Sequence, residues 1–396
     1  MKKVGVSTIA VWSIFCAFTL CINAAAGVTA PITINSVTLP DPNGTTEDEF
    51  GTAVAISGKT LVVGAPDVTY AGNSEQGVAY VFVKSGNSWL RAAELVASDG
   101  TASDEFGTAV AIASNGTVVV GAPNKTMGDG EAYVFEAPAG GWKAGGGIIS
   151  NTSKPLTGAS QNFYSFGYSV AISSNGKTVV VGEPQYFFGY NPGTVYVFAS
   201  PNWGQTAKFN ALGGTLGDSF GYSVAISGST IVAGAPFANL AYAIQLPGLA
   251  QSKLGVAGTD EFGRSVAISG NTIVVGVPFS EAAYVFTLAN GVWNQAAELT
   301  PSDTKSGQFG NSVATIGEAV VVGAPDYSSS ANSFTGAAYL FIEPSHGWKN
   351  AAGAAAFTGN TPSEFLGVSI SVSGETAVTG AWGFNSFEGE AVVLSP

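Results

Sequence analysis

The sequence predicts an all-β fold: a seven-bladed β-propeller of four-stranded antiparallel blades, closed by its own N-terminal strand. Three observations predict it. A Phe-Gly pair followed by Val-Gly-Ala-Pro, or a diverged copy, starts at Phe50, Phe106, Phe166, Phe220, Phe262, Phe309 and Leu366. The starts lie between 42 residues apart (Phe220 to Phe262) and 60 apart (Phe106 to Phe166). Self-similarity at such a period marks one supersecondary unit used repeatedly, each too small to bury a core alone. Second, the chain holds 53 glycines among 396 residues without a collagen period, which suits short strands joined by tight turns. Third, large and small residues alternate within each unit.

The first strand of a unit shows that alternation. Phe50, Thr52, Val54 and Ile56 point one way, and Gly51, Ala53 and Ala55 the other. Neither face carries a charge, so both are expected to be covered, the large residues of one sheet meeting the small residues of the next. A turn, Ser57-Gly58-Lys59-Thr60, leads into Leu61-Val62-Val63, a second buried strand that Gly64-Ala65-Pro66 ends. A loop of variable length reaches the third strand, Ala79 to Phe82. Trp89 to Leu95 reads as the fourth. Trp142, Trp203, Trp293 and Trp348 stand near the expected start of the same strand in other units and are read as edge cover, with sugar stacking as the sharper alternative.

The two ends complete each other. The last unit stops at Ala391 to Leu394, a third strand, while Ile32 to Leu39 precedes the first Phe-Gly and occupies the place of a fourth. The N-terminal segment is therefore expected to finish the last blade, which removes an edge that would template aggregation. Residues 32–396 form the propeller in this reading, with 27–31 a short linker.

Residues 1–26 read as a secretory signal: Lys2 and Lys3, an apolar run from about Val6 to Ile22, then Ala24-Ala25-Ala26, with a second cleavage site after Ala30. The competing reading is a retained anchor. Cys16 and Cys21 both lie in this segment, so the processed chain is expected to contain no cysteine and no disulfide. Secretion to the medium, the periplasm or the cell surface follows as an expectation, with no stable membrane insertion after cleavage. The formal net charge of −13 makes nucleic acid and anionic membranes poor partners.

The paired motif resembles the FG-GAP repeat family, whose best-known members are the N-terminal propellers of integrin α subunits, and it covers roughly residues 32 to 396. Closest in character are the microbial secreted members. The resemblance implies an extracellular adhesion or ligand-binding propeller and leaves the ligand open. Integrin propellers carry calcium loops between the Phe-Gly strand and the Gly-Ala-Pro strand. Here that interval is Ser57 to Thr60, Ser227 to Thr230, Ser269 to Thr272 and Ser373 to Thr376, with Ser114-Asn115-Gly116 and Ser174-Asn175-Gly176 in the second and third units. Such turns offer too few carboxylates for a Ca²⁺ ion, so neither metal nor other cofactor is expected.

Catalysis finds little material. His346 is the only histidine and sits in a turn, which excludes a histidine cluster and leaves a triad without partners. Acids precede the Phe-Gly pairs: Asp48 and Glu49, Asp104 and Glu105, Asp218, Asp260 and Glu261, and Glu364. They read first as caps on backbone N–H groups, with an acidic rim that gathers cations as the sharper reading. A glycosidase pair is the weakest reading. The variable loops after each Gly-Ala-Pro are the natural carriers of function. The richest holds Tyr186, Phe187, Phe188 and Tyr190, and Tyr70, Phe237, Tyr327, Phe334 and Phe384 occupy equivalent loops. Whether these rings bind or pack over the central channel stays open. The expectation is a monomeric, non-enzymatic binder of an extracellular protein or surface component, or alternatively a lectin-like glycan binder.

Overall fold

The computed structural model describes residues 18–20, 32–151, 155–158, 165–185, 191–303, 307–328 and 333–395. They form seven sheets of four or five strands around a central axis. Blade 1 is representative: Ala53–Ser57 is innermost, then Thr60–Ala65, Val78–Ser85 and Ser88–Val96, each antiparallel to the last. Leu61, Val62 and Val63 are all fully buried, so both faces of the second strand are covered as the uncharged alternation required. The expected closure is present. Ile32–Pro40 pairs antiparallel with Glu390–Ser395, from Asn35 opposite Ser395 to Pro40 opposite Glu390. Phe18–Leu20 pairs outside it against Ile32 to Ile34. The rest of the 1–26 segment, both cleavage sites and the 27–31 linker lie outside the described residues.

The Phe-Gly pair does not belong to the inner strand, which starts only at Ala53. It bridges blades instead. The N–H of Phe50 donates to the carbonyl of Glu388 in blade 7, that of Phe106 to Gln76, of Phe166 to Asp129, and of Phe220 to Pro192. Each phenylalanine lies fully buried against the tyrosine of its own third strand, as in Phe309–Tyr339 with ring centroids 4.9 Å apart. Where the preceding loop is shortest, a side chain supplies the acceptor: Asn239 Oδ1 for Phe262, and the Glu281 carboxylate for Gln308 and Phe309. The two glycines of the motif meet between blades. A Cβ on Gly64 would lie 1.9 Å from the Gly107 carbonyl oxygen, and Gly121 meets Gly167 in the same way. Ser169, Ser223, Ser265, Ser312 and Ser369 each donate to the carbonyl of such a glycine in the next blade.

Two blades depart from the expected four full strands. In blade 2 the chain after Glu131–Phe135 first adds Ile148–Ser150 in parallel to the outer edge of blade 1, and only then forms a two-residue outer strand, Leu156–Thr157. Blade 6 repeats this: Ala351–Gly353 joins blade 5, and Phe357–Thr358 is all that pairs with Ala337–Ile342. Trp142 and Trp348 therefore do not start fourth strands. Their indole N–H groups donate to Gly116 and Gly317 carbonyls at the inner hairpin turns, 2.8 and 3.2 Å away. With Trp89 and Trp203 they are buried, which fits edge cover and leaves no open face on these four for a sugar.

Candidate functional site

The loops entering each inner strand and those joining second to third strands share one face of the ring. Of the eight acids before the Phe-Gly pairs and Leu366, Asp104, Asp218 and Glu364 cap backbone N–H groups. Asp104 accepts from the N–H and hydroxyl of Thr101 at 2.6 and 2.7 Å, and Asp218 repeats both bonds with Thr215. Glu364 accepts from the N–H groups of Asn360 and Thr361, both at 2.8 Å, and Asp48 from the Thr45 hydroxyl. Asp260 is exposed and makes no such turn.

The predicted aromatic residues divide. Phe237 is 47 % exposed in the turn Pro236–Ala238, as a loop-face residue should be. Tyr70 is half-buried and packs against the core of blade 1, and Phe384 is half-buried in the blade 7 loop. Tyr327 is a correction: at 8 % exposure it belongs to the blade 6 core, drawn in because its carbonyl accepts from the Gly336 N–H as the loop folds back. Tyr186, Phe187, Phe188 and Tyr190 lie outside the described residues.

The structure brings together rings that the sequence reading did not join. Phe334, Phe365, Trp382 and Phe387 form a ladder across blades 6 and 7, with successive centroids 6.0, 5.1 and 5.2 Å apart and planes within 25°. The end rings are open to solvent, Phe334 at 42 % and Phe387 at 40 % exposure. One backbone relation positions the ladder. The residue before each Phe-Gly, or before Leu366, has positive φ, and the N–H of Glu49, Glu105, Ser165 and Phe365 donates to the carbonyl of the residue three before the third strand of the preceding blade. Across blades 6 and 7 that pair is Phe365 to Phe334, and across blades 7 and 1 it is Glu49 to Phe387. Across blades 1 and 2 it is Glu105 to Glu75. The same structural position is thus aromatic on one side of the ring seam and acidic on the other. The sequence signal was a departure from the repeat: Trp382 stands where Gly-Ala-Pro has proline, and Phe365 precedes the one unit whose phenylalanine is Leu366.

The acidic side carries uncompensated charge. Burial and the neighbouring Asp67 push Glu49 up to about 7. Burial and Glu75 push Asp67 up to about 6, and burial with Asp67 raises Glu105. Deeper in the loops, Glu390 is pushed up to about 8 by burial and by Glu364, to which it is hydrogen-bonded. Asp41 and Asp48 form a second such pair, burial and the shared hydrogen bond pushing Asp41 up to about 7. Blade 2 places a cation among its acids. Lys125 Nζ lies 2.9 Å from Asp104, both buried, and its charge opposes the burial that raises Glu131. Among the described residues, no group of three or more metal-ligating side chains converges. The hairpins between first and second strands are as short as two residues, Gly58 and Lys59 in blade 1.

Exposed aromatics thus occupy four consecutive blades, through Phe237, Phe279, Phe334 and Phe387, and carboxylates occupy the two that follow. Among the described residues no helix is long and apolar enough to cross a membrane. A family model described as an FG-GAP repeat matches residues 36–82, 89–135, 203–243, 255–286 and 293–341. Four of these windows start within or just before an outer strand and end on the third strand of the next blade, the same offset by which the ring closes. No curated protein matches the chain.

Proposed function

The chain belongs to the FG-GAP repeat family, and from that premise we propose that it is a secreted or cell-surface, non-enzymatic propeller that binds an extracellular protein through its loop face. FG-GAP repeat proteins are often extracellular. The aromatic ladder beside the acidic rim carries the reading. Rings with open edges next to underpaired carboxylates suit a partner surface that mixes apolar and basic side chains. Ladder stacking uses up the faces of Phe365 and Trp382, leaving only the outer faces of Phe334 and Phe387 for a sugar, so a protein partner is favoured over the lectin reading. The paired carboxyls Glu364–Glu390 and Asp41–Asp48 touch each other, whereas glycosidic cleavage needs about 5 Å or more between them to admit the sugar.

A pull-down of surface proteins run beside a glycan array tests this. Binding to protein is expected to fall by about tenfold or more in Phe334→Ser with Phe387→Ser, the melting temperature staying within a few degrees because both rings are solvent-facing. Glycan binding that survives those changes and disappears with Trp293→Ala would replace this reading with the lectin one.

A further inference from the structure

Blade 6 leaves part of its third strand without a neighbour. Phe357–Thr358 pairs only with Ala337 and Ala338, and among the described residues no strand follows Tyr339 to Ile342 on the outer side. The Glu343 N–H donates to the carbonyl of Glu318, just before the second strand, so by antiparallel alternation the N–H and C=O groups of Leu340 and Ile342 point outward. Blade 5, by contrast, continues its outer pairing from Ala283 to Ala289. Ile342 is 50 % exposed, and from Tyr339 to Ile342 the edge has none of the lysine, proline or bulge devices that blunt free strands, the first proline being Pro344 beyond it.

Beside the edge lies a gap of about 380 Å³ between blades 6 and 7. Its walls are apolar, Val321 and Leu340 on one side and Ile34, Val372, Ala377 and Leu394 on the other. In blade 2, which has the same truncated outer strand, Val134 shares one buried cluster with Trp203 and Phe198 of blade 3. Blade 7 has Leu394 in the place of Phe198 and, being completed by the N-terminal strand, has no tryptophan there. Three carboxylates line the same gap: Glu318, Glu343 and Glu375. None has a cation within ion-pair distance among the described residues.

We propose that this edge accepts an extended segment of a partner protein, basic and apolar at alternate positions, as the missing outer strand of blade 6. Its backbone pairs with Leu340 and Ile342, its apolar side chains enter the gap, and its lysines or arginines meet the three glutamates. A second copy of this chain is the wrong occupant on charge: at −13 the copies repel each other, and the chain has only 14 basic residues against 27 acidic ones. The site lies away from the loop-face ladder, so either can fail without the other.

The test uses the full chain and a fluorescein-labelled heptapeptide of alternating lysine and valine. Hydrogen exchange is expected to slow in residues 339–343 on peptide addition and to stay unchanged in residues 133–135 of blade 2. N-methylation of alternate peptide amides leaves charge and side chains intact and is expected to weaken binding by about tenfold or more. Combined Glu318→Gln, Glu343→Gln and Glu375→Gln is expected to weaken it by a similar factor and to flatten its salt dependence. Protection elsewhere, equal binding of the N-methylated peptide, or no binding at millimolar peptide overturns the proposal. So does a concentration-dependent dimer that Leu340→Arg dissolves, which would make the occupant a second copy.

Discussion

Gly380 in the last blade lies against Gly51 in the first: a Cβ on Gly380 would fall 1.8 Å from the Gly51 carbonyl oxygen. The contact closes the ring, and the Ser369 hydroxyl donates to the same carbonyl at 2.8 Å. Gly380 needs no unusual backbone angle, so its requirement is purely steric. Gly380→Ala must push two blades apart, which is expected to cost about 1–3 kcal/mol or more. Gly204→Ala, where an added Cβ meets nothing within 4 Å, serves as the control and is expected to be near neutral. Thermal unfolding of the two variants checks this. Equal melting temperatures would mean that the blades slide without cost.

Stability is expected to fall as pH rises from 5 to 8. Glu390, Asp41, Glu49 and Asp67 are pushed up to about 8, 7, 7 and 6 in the fold, while unfolded carboxyls titrate near about 4. The folded state therefore holds more protons in this window. Stability from the raised groups is fully present below the unfolded value and is lost as pH passes each folded value. Melting temperature measured at constant ionic strength should decline across the window, and Glu390→Gln, neutral throughout, should flatten the upper part. A curve that rises from pH 5 to 8 contradicts the buried acid pairs.

The ring was legible because its motif is a contact. Gly64 and Gly107 recur as glycines since each touches the other across a blade boundary, and that constraint repeats seven times. Closure by Ile32–Pro40 was legible because a unit missing one strand and a strand missing its unit stand at the two ends. The ladder was not. Phe365 and Trp382 belong to positions the motif assigns to other residues, and their stacking depends on how far one blade is turned against the next. The diverted strands were hidden for a related reason. Trp142 marks the same hairpin cover as Trp89, yet Gly146, whose Cβ would lie 1.8 Å from the Ala92 carbonyl oxygen, lets the chain cross onto blade 1.

Calcium is expected not to stabilise the protein, in contrast to what the resemblance to integrin propellers suggests. The interval that would hold the ion is a two-residue turn in blade 1, and in blades 4, 5 and 7 the second strand likewise starts three residues after the first ends. A Ca²⁺ ion needs about six to eight oxygens, which such turns do not supply. Chelator-treated protein titrated to millimolar Ca²⁺ should keep its melting temperature within about a degree, whereas bound ligand at a hundredfold excess over its dissociation constant adds about 2.7 kcal/mol. A rise of many degrees would show a site that these turns do not form.

Phe384 occupies in blade 7 the position that Lys125 holds in blade 2. The two loops share their backbone course, with positive φ at Thr126 and Met127 in one and at Asn385 and Ser386 in the other. Each leads through a glycine into a glutamate that opens the third strand, Glu131 or Glu390. In blade 2 the ammonium reaches Asp104, the equivalent of Glu364, so the acids there have a cation between them. In blade 7 the phenyl ring offers none, and burial with the hydrogen-bonded Glu364 pushes Glu390 up instead. Phe384→Lys should place an ammonium beside the two carboxyls and let Glu390 ionise. The variant is expected to melt higher than the parent at pH 8 and to gain little at pH 5, where Glu390 is already protonated. Phe384→Met, similar in reach but uncharged, should show neither effect. If the lysine and methionine variants behave alike at both pH values, the carboxyl pair is not what limits stability above neutrality.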